Sequence, residues 1–271
     1  MTNGVLEALL RRDRLLIAGA LGMTAALAWG YVLWLAANMH MGGMDMTGFR
    51  MIPAGLRLMA LADAPWGVIE FAFVFVMWAA MMIGMMAPSV APMILTYARV
   101  GRRGNVKGKP LAATGWFAAG YFLTWMGFAL AATLVQWMIE RAGLLDSQMA
   151  GASNALGGIV LTAVGLYQWS PLKDVCLTRC QSPIDFLTRY GGFRGELPGC
   201  LLMGLRHGAY CIGCCWALMA LLFVGGVMNV LWIAVLALVV LLEKLTAFGQ
   251  WIALIAGAAC VDAGVAMLFF T

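Results

Sequence analysis

The sequence predicts an all-α membrane protein, a polytopic bundle of about seven transmembrane helices. Of the 271 residues, 63% are hydrophobic and only 11% carry a charge. A soluble domain is typically about half apolar and about a quarter charged. The apolar residues form runs long enough to cross a bilayer, and most basic residues lie between these runs. No polar stretch is long enough to enclose a second core, so residues 1–271 are expected to form a single transmembrane domain.

Each candidate span is a mostly apolar run near the length of about 20 residues that a bilayer requires. In chain order, the candidate spans are residues 15–37, 66–87, 111–138, 150–169, 198–224, 227–243 and 248–270. The second run continues past Pro88 and Pro92 to Arg99. As one straight helix, residues 66–99 would measure roughly 50 Å. This length exceeds the bilayer core, so we expect a break or a kink at the two prolines.

The basic residues predict the orientation of the chain, because cytoplasmic loops of membrane proteins are enriched in Lys and Arg. Basic clusters precede the first span, follow the second, and lie between the fourth and the fifth, whereas the other side has only Arg50, Arg57 and Arg141. We therefore expect a cytoplasmic N-terminus, an external C-terminus and a multi-pass location in a bacterial inner membrane. Residues 38–65 then form a Met-rich external loop, and residues 170–197 form a cytoplasmic loop. These positions account for the net charge of +5, so the lipid bilayer and not a nucleic acid is the expected partner.

Soft metal ligands form one stripe on the fifth span. At about 100° per residue, five side chains fall within an arc of about 80°. They are Cys200, Met203, His207, Cys211 and Cys214. Thiolate and thioether sulfur favour Cu(I), and imidazole binds both copper and zinc. The stripe therefore predicts a metal site for copper, with zinc as the alternative ion. The alternative is that these cysteines are small residues that pack well between helices.

The second span carries another set of potential ligands. Five methionines recur there at helical spacing, and Glu70 falls within about 40° of one of their faces. They are Met77, Met81, Met82, Met85 and Met86. Thioethers bind Cu(I), whereas a flexible packing surface is the alternative explanation. In the predicted orientation, this stripe and the one around His207 reach similar depth, so the two could meet in the inner half of the membrane.

Two smaller groups of ligands lie outside these spans. Five thioether and imidazole side chains crowd the external loop, where thioethers resist oxidation better than thiols and can capture copper. They are Met39, His40, Met41, Met44 and Met46. A flexible loop whose methionines dip into the membrane interface is the alternative. On the cytoplasmic side, Cys176 and Cys180 are four residues apart, so they can share a helix face and accept a metal ion.

Four stretches of this sequence together carry a resemblance to a known family. They are "MWAAMMIGMMAPS" from Met77, "YQWSPLK" from Tyr167 followed by Cys176 and Cys180, "HGAYCIGCCWALMALLFVGGVMN" from His207, and the pair Glu243–Lys244. The combination resembles a bacterial family of predicted metal-binding integral membrane proteins, over most of the chain from the second span onward. The resemblance implies a polytopic membrane protein that binds metal, and it implies neither a mechanism nor a ligand set.

Copper handling is the leading functional hypothesis. The external methionines would capture Cu(I), the second span would relay it, the His207 stripe would bind it more tightly, and Cys176 and Cys180 would receive or release it. Delivery to a periplasmic or membrane partner protein would use much the same residues. The chain has no GxxxxGK[ST] phosphate-binding motif, so ATP-driven pumping by this chain alone is not expected.

Two other classes of function stay open. Cys211 and Cys214 form a C-x-x-C motif, as in thiol–disulfide enzymes, although their depth in the span disfavours exchange with a protein partner. A redox enzyme with a metal or haem is the related alternative, and haem is disfavoured because His207 is the only histidine within a span. A scaffold subunit of a membrane complex, with incidental ligands, is the second class. A role that does not involve catalysis is favoured over an enzyme.

Overall fold

Helices account for nearly all of the described chain. A computed structural model describes residues 3–40, 49–50, 60–61, 66–103, 110–142 and 154–269. The helices are α1 (Asn3–His40), α2 (Val68–Arg103), α3 (Pro110–Arg141), α4 (Asn154–Gln168), α5 (Pro171–Gln181), α6 (Pro183–Arg189), α7 (Leu197–Ala220), α8 (Leu222–Gly225), α9 (Val230–Leu245) and α10 (Gly249–Phe269). Two-residue strands, β1 (Phe49–Arg50) and β2 (Ala60–Leu61), pair in antiparallel orientation. The predicted all-α class is confirmed.

Five helical segments are long and apolar enough to cross a membrane. They are Arg12–Ala37, Val68–Arg102, Pro110–Arg141, Leu197–Gly225 and Gly249–Phe269. The pair α4 and α5 meets the same criterion but is bent by 63°, so the described residues provide five spans, or six if this pair counts as one. Helix α9 has only 16 residues. The total of seven spans and the orientation of the termini therefore stay predictions.

The bend between α4 and α5 has a local chemical cause. Ser170 caps α5, and its hydroxyl accepts a hydrogen bond from the Lys173 backbone N–H at 3.2 Å. Pro171 then occupies the first turn, where its missing N–H costs nothing. The chain turns here, and α5 packs against α7. Residues 170–197, expected to form a loop, thus contain two packed helices, α5 and α6.

Helix α2 runs through both of its prolines without interruption. Pro88 has no N–H to donate to the Gly84 carbonyl, which loses its usual helical partner. Trp29 on α1 fills this role, because its indole Nε1 donates to the Gly84 oxygen at 3.2 Å. Of the predicted break or kink, the break is therefore wrong, whereas a kink stays a prediction. The neighbouring helix compensates for the missing hydrogen bond.

Helices α3 and α7 approach each other closely. A Cβ atom at Gly204 of α7 would collide with the Phe117 carbonyl oxygen of α3, and one at Gly120 would collide with the Leu201 carbonyl oxygen. Glycine at both positions lets the two backbones meet, as in small-residue packing of membrane helices. This contact fixes the position of the α3 aromatic residues against α7.

Helix α9 contacts most of the helices that carry the predicted ligands. It packs against α1, α2, α5, α7 and α10. Its buried residues include Val240, Glu243 and Lys244. The methionine-bearing helix α2 and the cysteine-bearing helices α5 and α7 therefore share α9 as a neighbour, which brings their side chains around its last turns.

Candidate metal centre

The methionine stripe of α2 is buried as a whole. The exposed fraction is at most 5% for Met77, Met81, Met82, Met85 and Met86. Glu70 does not accompany them, because it lies half-buried in the first turn with its carboxylate folded back toward Gly67. Sixteen positions separate it from Met86, which corresponds to about 24 Å along the helix.

The predicted ligands of α7 are also buried, but they do not form one site. Cys200, Met203, His207, Cys211 and Cys214 are each at most 3% exposed. From Cys200 to Cys214, the helix rises by about 21 Å. One metal ion cannot bridge that distance. Cys200 lies near Tyr97 at the start of the stripe, and its thiol donates to the Leu197 carbonyl oxygen at 3.3 Å.

Helix α5 brings two more thiols to the other end of this stripe. The Cys180 and Cys214 sulfur atoms are 3.9 Å apart. Cys180 also lies close enough to Cys211 for their thiols to interact, and the Cys176 sulfur lies against Gly213. A metal ion with bonds to sulfur of about 2.3 Å can bridge two sulfur atoms at this separation. The two cysteines of α5 and the pair Cys211 and Cys214 of α7, predicted as separate stations, thus lie together, whereas Cys200 lies apart.

Lys244 of α9 joins the cysteines to the methionines. Its Nζ lies 2.8 Å from the Cys211 sulfur, 3.7 Å from the Cys215 sulfur and 3.6 Å from the Met86 sulfur. The Tyr121 hydroxyl of α3 lies 2.9 Å from the Cys211 sulfur. The two predicted stripes therefore meet at one ammonium group. We call the side chains of Met86, Cys180, Cys211, Cys214 and Cys215, together with Lys244, the sulfur cluster.

Two thiols of the sulfur cluster are held by the backbone of their own helix. Cys214 donates to the Cys211 carbonyl oxygen at 3.1 Å, and Cys215 donates to the same oxygen at 2.9 Å. These bonds fix the rotamers of both side chains. Cys215 lies eight residues after His207 and so about 80° from the stripe. It faces α9, whose lysine makes Cys215 part of the cluster.

His207 is buried one turn before Cys211. Its exposed fraction is 3%, and its Nδ1 has no hydrogen-bond partner among the described residues. Three aromatic rings surround it, with centroids 5.0 Å (Phe186), 5.8 Å (Tyr121) and 6.1 Å (Phe117) from the imidazole. A buried polar atom without a partner is costly, which makes Nδ1 a candidate ligand.

A second buried polar group lies on the other side of α9. Lys173 of α5 contacts both carboxylate oxygens of Glu243, at 2.8 and 2.9 Å, and also donates to the Gln168 side-chain oxygen. Gln168 donates to Glu243 at 3.2 Å. The roles of Lys173 and Lys244 were not predicted from the sequence. The available signal was a charged residue within or beside an apolar run, which is expensive unless it has a partner.

The donor set of the cluster is small. Within the described ranges, no three His, Cys, Asp or Glu side chains converge in a way that could hold a metal ion without help from other donors. What converges is a pair of thiols, Cys180 and Cys214, with Cys211 and the Met86 thioether nearby. Zinc in structural sites takes four ligands. A few soft sulfur donors suit Cu(I) better.

Most of the predicted external methionine group lies outside the described residues. Met41, Met44 and Met46 lie outside the described residues. Helix α1 ends at His40, and the side chains of Met39 and His40 are likewise outside the description. Their predicted role in copper capture stays a prediction.

Comparison with known proteins points to copper. Residues 75–267 match the model of the PpoB2 family, which is described as a copper chaperone. The matched segment contains the whole sulfur cluster, His207 and the Lys173–Glu243 pair, and it excludes Glu70 and the external methionines. Comparisons with curated proteins and with solved structures find no match. Because the match covers more than half of the chain, this protein belongs to the PpoB2 copper chaperone family.

Proposed function

We propose that this protein binds Cu(I) at the sulfur cluster and delivers it to a partner cuproprotein. The observation that carries the proposal is the close approach of the Cys180 and Cys214 sulfur atoms, with Cys211 beside them and Met86 joined to Cys211 through Lys244. All of these residues lie inside the segment that matches a copper chaperone family. Soft sulfur donors in small number favour Cu(I) over zinc and over ions that prefer oxygen. Haem has no evident place in this arrangement of donors.

Within this proposal, the other predicted ligands form the route of the ion. The external group Met39–Met46 captures copper, and the buried methionines of α2 lead to Met86. His207, one turn from Cys211, is the neighbouring station, because its Nδ1 is buried without a partner among the described residues. Cys176, beside Gly213, accepts the ion on its way out.

A membrane location is part of the proposal. Large apolar side chains are exposed along the helices, such as Leu27 at 70%, Leu231 at 75% and Phe269 at 77%. Water-soluble proteins rarely expose so much apolar surface. We propose a multi-pass protein of the bacterial inner membrane in which α9 supplies a seventh span, with a cytoplasmic N-terminus and an external C-terminus. Reporter fusions at each terminus test this orientation, and a signal from the same side for both would contradict an odd number of spans.

The test of copper binding is the metal content of the purified protein. Wild type, purified in detergent after growth with copper, should hold about one Cu(I) per chain. The double variant Cys180→Ala/Cys214→Ala should lose it. Cys200→Ala is the matched control, because Cys200 is a fully buried thiol of α7 that lies about 21 Å from Cys214. It should keep its copper. Copper retained by the double variant, or lost equally from the control, would contradict the proposed site.

The thiol–disulfide alternative has one observation in its favour, the short distance of 3.9 Å between the Cys180 and Cys214 sulfur atoms. The two functions differ in what copper does. An oxidoreductase should contain a reducible Cys180–Cys214 disulfide and act without copper, whereas the chaperone should keep both thiols reduced and transfer Cu(I). Mass spectrometry of the alkylated protein distinguishes the two states.

A further inference from the structure

Lys244 is an unusual neighbour for a soft-metal site. It is 6% exposed, and within the described chain the three hydrogen bonds of its ammonium all go to sulfur, on Cys211, Cys215 and Met86. The adjacent carboxylate, Glu243, pairs with Lys173 instead. The ammonium therefore carries a charge that thiolates, alone or in a metal complex, must balance.

Charge balance inside the bundle depends on the valence of the bound ion. Cu(I) with two thiolates carries a net charge of −1, and the Lys244 ammonium brings the buried group to zero. A divalent ion with the same two thiolates is already neutral, and the ammonium then leaves a buried charge of +1. An uncompensated charge in a low-dielectric interior is expensive. The lysine thus favours the monovalent ion.

The position of the ammonium acts in the same direction. Its hydrogen bonds occupy the sides of Cys211 and Cys215 that face α9. A divalent ion held by Cys180 and Cys214 alone lacks the four ligands of its stable form, and the nearest further thiols, Cys211 and Cys215, already accept hydrogen bonds from Lys244. Lys244 therefore competes for these two thiols. Cu(I) needs fewer donors and leaves the lysine in place.

We infer that Lys244 is a specificity-determining residue, which restricts the sulfur cluster to monovalent soft ions and disfavours divalent ions that also bind thiolates. The inference rests on the proposed function, since it presupposes that the cluster binds metal. It assigns Lys244 no bond to the ion, and its effect comes from charge and from its hold on two thiols.

The experiment compares two soft ions that differ in charge, Ag(I) and Cd(II). Full-length protein in detergent is titrated with each ion in competition with a chromophoric chelator, for wild type, Lys244→Leu and Lys244→Arg. Leucine removes the charge and supplies no ligand, while arginine keeps the charge. The ratio of the Ag(I) to the Cd(II) affinity should fall by about tenfold or more in Lys244→Leu, mainly because Cd(II) binds more tightly. Lys244→Arg should keep most of the wild-type ratio.

The outcomes separate this inference from the proposed function. If wild type binds Ag(I) and the ratio is the same in Lys244→Leu, or if both affinities fall together, the selectivity role is overturned while the metal site stands. If wild type binds neither Ag(I) nor Cu(I), both ideas fail. Should Lys244→Leu not fold, wild type alone decides, because Cd(II) binding as tight as Ag(I) binding would overturn the inference.

Discussion

Two buried lysines meet at α9, and their partners differ: Lys173 of α5 packs against this helix, and Lys244 belongs to it. Lys173 is fully buried and meets a carboxylate, Glu243, at 2.8 and 2.9 Å. Lys244 meets sulfur atoms, the nearest being that of Cys211 at 2.8 Å. The charge of Lys173 is paired within the fold with a carboxylate, whereas Lys244 faces thiols whose charge would change if they bound metal. We therefore assign the first lysine to the stability of the fold and, under the proposed function, the second to the site.

The largest expected effect is on stability, when each lysine is replaced by methionine in the metal-free protein. Lys173→Met leaves the Glu243 carboxylate buried without its partner and should lower the free energy of unfolding by about 3–5 kcal/mol. Lys244→Met leaves thiols that are neutral when protonated, so its cost should be near 1 kcal/mol. Denaturation in detergent, followed by circular dichroism, measures both. Adding Glu243→Leu to Lys173→Met should recover most of the loss, and equal costs for the two single variants would remove the distinction.

His207 adds a third buried group that can carry a charge, and it lacks even a hydrogen bond at Nδ1 among the described residues. His207→Phe removes a polar atom from an aromatic surrounding, so the free energy of unfolding without copper should rise by about 1–3 kcal/mol. Copper transfer should become slower, because a station of the route is lost. Thermal denaturation and transfer to a Cu(I) chelator measure the two effects. A less stable variant with unchanged transfer would make His207 a packing residue.

Met86 and Met82 form a matched pair on α2, because both are fully buried but the sulfur of Met86 lies 3.6 Å from Lys244. Met86→Leu should weaken Cu(I) binding by about tenfold, or ~1.4 kcal/mol. Met82→Leu should leave the affinity unchanged. Both swaps conserve volume and should cost less than about 1.5 kcal/mol in stability. Competition with a Cu(I) chelator measures the affinities, and equal losses in the two variants would indicate packing and not ligation.

The smallest effect is expected at Tyr121, whose hydroxyl lies 2.9 Å from the Cys211 sulfur. Tyr121→Phe removes this contact and keeps the ring beside His207. Cu(I) affinity should change by less than about fivefold, which corresponds to the loss of one hydrogen bond worth at most about 1 kcal/mol. A larger loss of Cu(I) affinity would indicate that Tyr121, like Lys244, stabilises the charge on Cys211.

Helical periodicity predicts faces but not neighbours, and the candidate site illustrates the limit. The stripes of α2 and α7 were predictable because each is a pattern within one helix. The contact between Cys180 and Cys214 was not, since it depends on the bend at Ser170 and Pro171, which turns α5 onto α7. A capping serine followed by proline predicts that a new helix starts at this point. It does not predict the direction of that helix, which depends on the neighbours against which it packs.

The adjacent charges of Glu243 and Lys244 show a second limit. Neighbours in sequence with opposite charges suggest a pair at the end of a span. On a helix, however, consecutive side chains point about 100° apart. Glu243 therefore turns toward α5 and Lys244 toward α7, and each finds a partner that is distant in the sequence. That α2 continues through its prolines has a related reason, because the compensating donor, Trp29, belongs to another helix.

The separation of the cluster in the sequence has a consequence for biosynthesis. Met86 and Lys244 are 158 positions apart, and the cysteines come between them. During translation, α2, α5 and α7 emerge before α9 does. A nascent chain thus presents its thiols and thioethers before it has the ammonium that balances them. Lys244 is synthesised after the other members of the cluster. If it confers selectivity, a growing chain that bound metal before this residue was added would not discriminate between copper and zinc.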